Sequence, residues 1–213
     1  MWTLTVATKE KVLTVLIDKM GKCEGVGYLK RGAFMNLLDH EVFDSQGCAL
    51  KLRESCQLPC LLVFLRHLGW LLCRSHLGEI RDSWNLFQST SAAVVAVTFS
   101  PFKDALKIQN ELGLPFPIVS NPSKSLYLSL GMGKIHWIDF FSLKLASEGW
   151  KKISKGWWPS FGYDKRDIRQ LGGDVIIDRQ EKILFQFISK SPEQRPDIVD
   201  LINVFKRLKE QGV

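Results

Sequence analysis

The 213-residue sequence has no block of consecutive like charges, no uncharged apolar run of 18 or more residues, and no cysteine–histidine grouping at zinc-ligand spacing. The first absence argues against a nucleic-acid-binding arm, the second against a membrane-spanning helix, and the third against a zinc site. Cys56 and Cys60 come nearest to a ligand pair, but no second pair matches them. The N-terminus also lacks a clean apolar stretch behind a basic start, because Lys9, Glu10, Lys11, Asp18 and Lys19 interrupt it. No secretory signal is read there. The cysteines are few, five in all (Cys23, Cys48, Cys56, Cys60, Cys73), odd in number and irregularly spaced. That pattern predicts free thiols in a reducing, cytoplasmic setting.

Apolar residues, 46% of the chain, are sufficient for one core, and the length suits one domain. The net charge is +7, and residues 134–170 hold eight Lys/Arg against four Asp/Glu, more than half of the surplus. Before residue 41 the sequence is least readable, with a helix expected over Lys9–Met20 and glycines breaking it, so 1–40 is taken as an N-terminal extension.

From there the pattern sharpens. DSQGCALKL (44–52) predicts a turn leading into a short strand. LLVFLRH (61–67) and AAVVAVTF (92–99) are short continuous apolar runs, as in strands covered on both faces. Between them Leu77, Ile80, Trp84 and Phe87 recur from Cys73 onward at helical spacing. Ser100-Pro101 predicts a helix start, ending at Gly113, and LPFPIVS (114–120) predicts a third strand. A short helix follows Asn121-Pro122. GGDVIID and KILFQFI (172–178 and 182–188) predict a hairpin. Ser191-Pro192 then opens a last helix with the face Ile198, Leu201, Ile202, Phe205 and Leu208. The order β-α-β-α-β-(insertion)-β-β-α implies right-handed parallel crossovers with an antiparallel edge, a three-layer α/β sandwich with a mixed central sheet.

The segments DSQGCALKL, VFLRHLGWLLCR, ELGLPFPIVSNPSKSLYLSLGMGK, IRQLGGDVIIDRQEKILF and SPEQRPDIVDLI, in this order and spacing, resemble the peroxiredoxin-like AhpC/TSA antioxidant-enzyme domain family. The resemblance implies a thioredoxin-like domain over about 41–211, with an aromatic, basic insertion at about 134–170. It implies thiol chemistry at Cys73, directed at peroxides or disulfides. Two family features are missing. The first cysteine of the usual Cys-x-x-Cys is replaced by Trp70, which is also where typical peroxiredoxins carry a threonine. The arginine expected six residues before Asp178 falls on Gly172.

Cys73 is therefore the candidate nucleophile, with Arg66 and Arg74 as the candidate cations that would stabilise its thiolate. His67 and His76 are read as polar surface groups. The indole of Trp70 can neither donate to peroxide as threonine does nor close a disulfide, and it excludes water from the thiol. No second cysteine is expected near enough to bridge Cys73, so an external thiol, glutathione or a thioredoxin-like protein, would recycle it. No metal or organic cofactor is expected. The alternative expectation is a catalytically degenerate interaction or regulatory protein of the same fold.

The insertion holds four of the seven tryptophans, interspersed with lysines. Its expected form is an extra helix with a solvated basic face. The same composition suits a peripheral membrane or protein contact, with a homodimer as one option. No nucleic-acid module surrounds it.

Overall fold

In a computed structural model of the chain, residues 37–135, 143–160, 167, 169–191 and 193–210 are described. The expected helix at Lys9–Met20 and Cys23 lie outside them. Strands β1 (Glu41–Phe43) and β2 (Ala49–Lys51) form a hairpin around the predicted turn, with Gly47 at φ +87° in it. A one-turn helix α1 (Leu52–Ser55) leads to β3 (Cys60–Phe64). Then come α2 (Leu71–Asp82), α3 (Trp84–Ser89), β4 (Ala93–Thr98), α4 (Phe102–Leu112), β5 (Ile118–Ser120) and α5 (Ser125–Ser129). Helix α6 (Leu143–Ser154) belongs to the insertion, and β6 (Gly173–Ile177), β7 (Ile183–Ile188) and α7 (Ile198–Glu210) close the chain.

The seven strands form one mixed sheet in the order β2-β1-β5-β4-β3-β6-β7. Strands β3, β4 and β5 run parallel, and β6, β7 and the β1–β2 hairpin are antiparallel. Every residue of β3 is buried, as a central strand covered on both faces requires. Its alternation sorts the core. Leu61, Val63 and Leu65 face α2, α4 and α7, whereas Cys60, Leu62 and Phe64 face α5 and the N-terminal hairpin. Leu37 and Leu38, ahead of the expected boundary, are already part of the second cluster.

Three boundaries differ from the sequence reading, and each has a local cause. Strand β5 begins only at Ile118, because Pro115 and Pro117 remove ladder donors ahead of it. Helix α2 opens at Leu71 with Trp70 as N-cap, so Cys73 is the third helical residue rather than the first. The last helix starts at Ile198, not at Ser191-Pro192. Asp197 starts it, its carboxylate accepting from Val199 N–H at 2.8 Å and its carbonyl from Leu201 N–H at 3.2 Å. Residues 193–197 are thereby left as a loop, and that loop carries Arg195 to the end of β3.

Candidate active site

Strand β3 ends at Phe64, but its neighbour continues to hold the chain, since Leu65 N–H donates to Val97 O at 2.8 Å. Arg66 follows in the turn, and Gly69 and Trp70 start α2. Cys73 N–H and Arg74 N–H both donate to Trp70 O at 3.1 Å, which places Cys73 in the first turn, where free N–H groups and the helix dipole favour an anion. The Cys73 side chain is 2% exposed and packs with Leu68, Leu77 and Ile80 in the core beneath α2.

Arg66 is itself only 1% exposed. Its Cζ lies 4.5 Å from the centre of the Trp70 ring, and its Nε donates to Gln170 O at 3.2 Å. Nη1 and Nη2 have no hydrogen-bond partner among the described residues. Burial lowers the Arg66 pKa to about 10; charges on Cys73 and Glu193 work against that shift, and neighbouring Arg195 adds to it. Two guanidinium groups thus converge on one thiol.

The second, Arg195, is a residue that no motif in the sequence singles out. Its Nη1 donates to Gly173 O at 3.1 Å and to Asp174 Oδ2 at 3.0 Å, its Nη2 donates to Phe64 O at 2.9 Å, and its charge interacts with Cys73. Burial opposes its charge, but Asp174 and Cys73 more than offset that, and its pKa is raised. Gly172 explains why the guanidinium comes from elsewhere. A Cβ at Gly172 would lie 2.2 Å from Phe64 O and 3.0 Å from Arg195 Nη2. No side chain fits at 172, and Arg195 occupies the space beside it.

Asp174, on β6, is fully buried between Arg195 and His76, whose Nε2 is 3.0 Å from Oδ1. Burial would raise this carboxyl, but His76 and Arg195 hold it below the usual carboxylate range. His76, expected at the surface, is therefore corrected: it is buried, one turn beyond Cys73, and closes a His76–Asp174–Arg195 chain. His67 is half-buried, its Nδ1 accepting from Gly69 N–H at 3.1 Å. Arg74 is also corrected. Its Nη1 binds Glu111 Oε2 at 2.9 Å, on α4, because a side chain one residue past Cys73 is turned by about 100° around the helix. Tyr127 was not anticipated either. Its buried hydroxyl lies 2.7 Å from Leu65 O and 2.9 Å from Val97 O, where β3 and β4 end.

The insertion covers α2. Lys152 pairs with Glu79, Ser160 N–H donates to Gly69 O at 3.1 Å, and the Trp157 ring occupies the space where a Gly78 Cβ would be. Trp150 and Trp158 remain largely exposed. A cleft of about 510 Å³ between α2, α6 and the 193–197 loop is lined by Ser75, His76, Glu79, Glu148, Lys152 and Arg195, among others. Cys48, Cys56, Cys60 and Cys73 are all free thiols, and among the described residues no cluster of three or more His, Cys, Asp or Glu could hold a metal ion. No described helix is long and apolar enough to cross a membrane.

No curated protein sequence matches the chain. Among solved structures it is similar to peroxiredoxin Q of Xanthomonas campestris, at 11% identity and a TM-score of 0.58, with 87% of this chain and 99% of that one covered. It is likewise similar to a cysteine-to-serine mutant of PrxQ from Xylella fastidiosa, at 14% identity and 0.58, covering 89% and 96%. Peroxidoxin BcpB from Mycobacterium tuberculosis gives 15% and 0.55, covering 80% and 92%. At these identities the likeness establishes the fold, the expected thioredoxin-like three-layer sandwich. The AhpC/TSA antioxidant enzyme family matches residues 79–191, more than half of the 213, and the chain belongs to that family.

Proposed function

We propose that the protein is a one-cysteine thiol peroxidase, with Cys73 as nucleophile and Arg195 and Arg66 as the cations that hold its thiolate. The observation that carries this reading is the part-buried Arg195 guanidinium, locked by Asp174, Gly173 and Phe64 where its charge acts on Cys73. A fixed cation beside a poorly solvated sulfur is the interaction that favours thiolate over thiol.

The thiolate attacks the terminal oxygen of a hydroperoxide R–O–OH. The O–O bond breaks, Cys73 becomes sulfenic acid, and RO⁻ leaves and takes a proton from solvent. An external thiol then attacks the sulfenic sulfur and releases water, giving a mixed disulfide, and a second thiol restores Cys73 with formation of its own disulfide. Cys60 starts β3 on the opposite face of the sheet, so among the described cysteines it is not placed to resolve Cys73. A reducing cytosolic compartment supplies the reductant in this reading.

The near-complete burial of Cys73 favours a second reading, a scaffold of the same fold without turnover. The two are separated by exposing the full-length protein to hydrogen peroxide or an alkyl hydroperoxide, trapping with a sulfenic-acid reagent, and mapping the adduct by mass spectrometry. An adduct on Cys73 that disappears on adding glutathione supports the peroxidase. An unmodified Cys73 under conditions that oxidise Cys48 supports the scaffold.

A further inference from the structure

Helix α6 shows two unlike sides. Gly149, Lys152 and Ile153 are half-buried on the side packed against α2, where Lys152 pairs with Glu79. Trp150, Lys151 and Ser154 lie on the opposite side, since successive residues turn by about 100°, and all three are exposed. Past the helix the chain bends at Gly156, φ +85°, and Trp157 N–H returns to Lys152 O at 3.0 Å. Trp157 is half-buried against Gly78, whereas the next indole, Trp158, is turned out to solvent beside exposed Lys155. Trp150 and Trp158 are 72% and 65% exposed. The other exposed large apolar side chains among the described residues, Leu86, Leu106, Leu128 and Val199, are aliphatic and scattered along the chain, which is ordinary for a surface. Two bare indoles eight positions apart in one insertion are not. Residues 143–160 also carry four lysines against one acid, Glu148. Glu148 binds Lys151 at 2.7 Å, an exposed pair that holds its lysine only weakly.

The pairing of tryptophan with lysine selects the kind of partner. Protein interfaces take up aromatic rings but are depleted in lysine, and a symmetric pairing of two copies would set these lysines against each other. The surface of an anionic bilayer accepts both residues. An indole buries its apolar body at the acyl boundary and keeps its N–H among the headgroups, while lysine lays its stem alongside and its ammonium on the lipid phosphates. We infer that the outer side of α6, with Trp158, is a docking surface for the anionic face of a phospholipid bilayer, on which the protein lies without crossing it. The inference is independent of the chemistry at Cys73.

Cosedimentation of the full-length protein with lipid vesicles tests it. Binding to equimolar phosphatidylserine and phosphatidylcholine is expected to exceed binding to phosphatidylcholine alone by about tenfold or more, and to weaken as salt is raised. Vesicles with brominated acyl chains should quench part of the tryptophan fluorescence. Trp150→Ala with Trp158→Ala should remove that quenching and weaken binding by about tenfold. Lys151→Gln with Lys155→Gln should weaken binding to the serine-containing vesicles by about fivefold for each charge removed, with binding to phosphatidylcholine unchanged. All four side chains are exposed, so thermal melts should match the wild type, and the lysine pair carries the test if the tryptophan pair fails to fold. Equal affinity for the two vesicle types, or binding that survives both pairs of substitutions, overturns the inference. So does a wild-type protein that binds neither vesicle, whether it sediments as a monomer or as a dimer that the tryptophan pair dissociates.

Discussion

Cys73 and Cys60 are both buried thiols, Cys60 starting β3 and Cys73 lying beyond its other end, and their surroundings could hardly differ more. Cys60 sits among apolar side chains, its sulfur 3.6 Å from Leu61 O and the Cys56 thiol its neighbour. Burial first, then the neighbouring thiol, pushes the Cys60 pKa well above that of a free cysteine. Cys73 is just as dry, but it lies in the first turn of a 12-residue helix with the charges of two guanidinium groups acting on it. Burial alone silences a thiol by penalising its anion. Burial beside fixed cations strengthens the cations' grip on that anion, because no water screens them. Depth in the core is therefore a poor guide to which cysteine reacts, and the deciding quantity is the charge that the fold brings to it.

The sharpest way to break this contrast is Arg195→Met. It takes the guanidinium from Cys73 and leaves buried Asp174 with His76 alone, so it is expected to destabilise the fold by about 3–5 kcal/mol, as loss of one partner of a buried ion pair does. Alkylation of Cys73 at neutral pH should slow by about tenfold to a hundredfold. Equal Cys73 reactivity in a folded Arg195→Met protein would mean that the arginine does not serve the thiol.

Acid should expose the same chain of charges more gently. The Asp174 carboxyl is held below its ordinary range when folded, so unfolding takes up a proton as pH falls past the ordinary value of about 4. Its stabilisation is complete above that value and is lost as pH drops through the lower, folded one. Asp174→Asn should flatten the acid limb of a denaturant-midpoint-versus-pH curve, and an unchanged limb would point to other carboxylates.

Trp70→Cys sharpens the comparison chemically, by giving Cys73 a sulfur neighbour as Cys56 gives Cys60. The new thiol would stand at the N-cap, facing the third helical residue. An intramolecular disulfide should form on mild oxidation, visible as a loss of two thiols in a titration, and it should be absent in Trp70→Cys with Cys73→Ser. Failure to form it would remove Cys73 from a thioredoxin-type site. The smallest expected effect is Cys60→Ala. Loss of one buried sulfur costs on the order of 1 kcal/mol in a denaturant melt, and the alkylation rate of Cys73 should stay at the wild-type value.

Much of this molecule is legible along the chain. Continuous apolar runs mark β3 and β4 because a central strand buries both faces, and the i, i+3, i+4 recurrence from Cys73 marks the buried side of α2. Those are local properties, set by each segment's own side chains, and so is the departure at Trp70 and Gly172. Arg66 could be placed near Cys73 because only six residues and one turn separate them.

The rest is decided by contacts far apart in sequence. Arg195 comes to Cys73 from 122 positions downstream. It does so because α7 starts at Asp197 rather than at Ser191, and because Gly172 leaves room beside Phe64 O. Arg74, one residue from the thiol, is carried away by helical rotation, and His76 is drawn into the core by Asp174 across the sheet. Periodicity specifies which face of a segment is buried. It carries no information about which charge from another segment will meet that face, and for Cys73 that meeting is made only by the packed sheet and its covering helices.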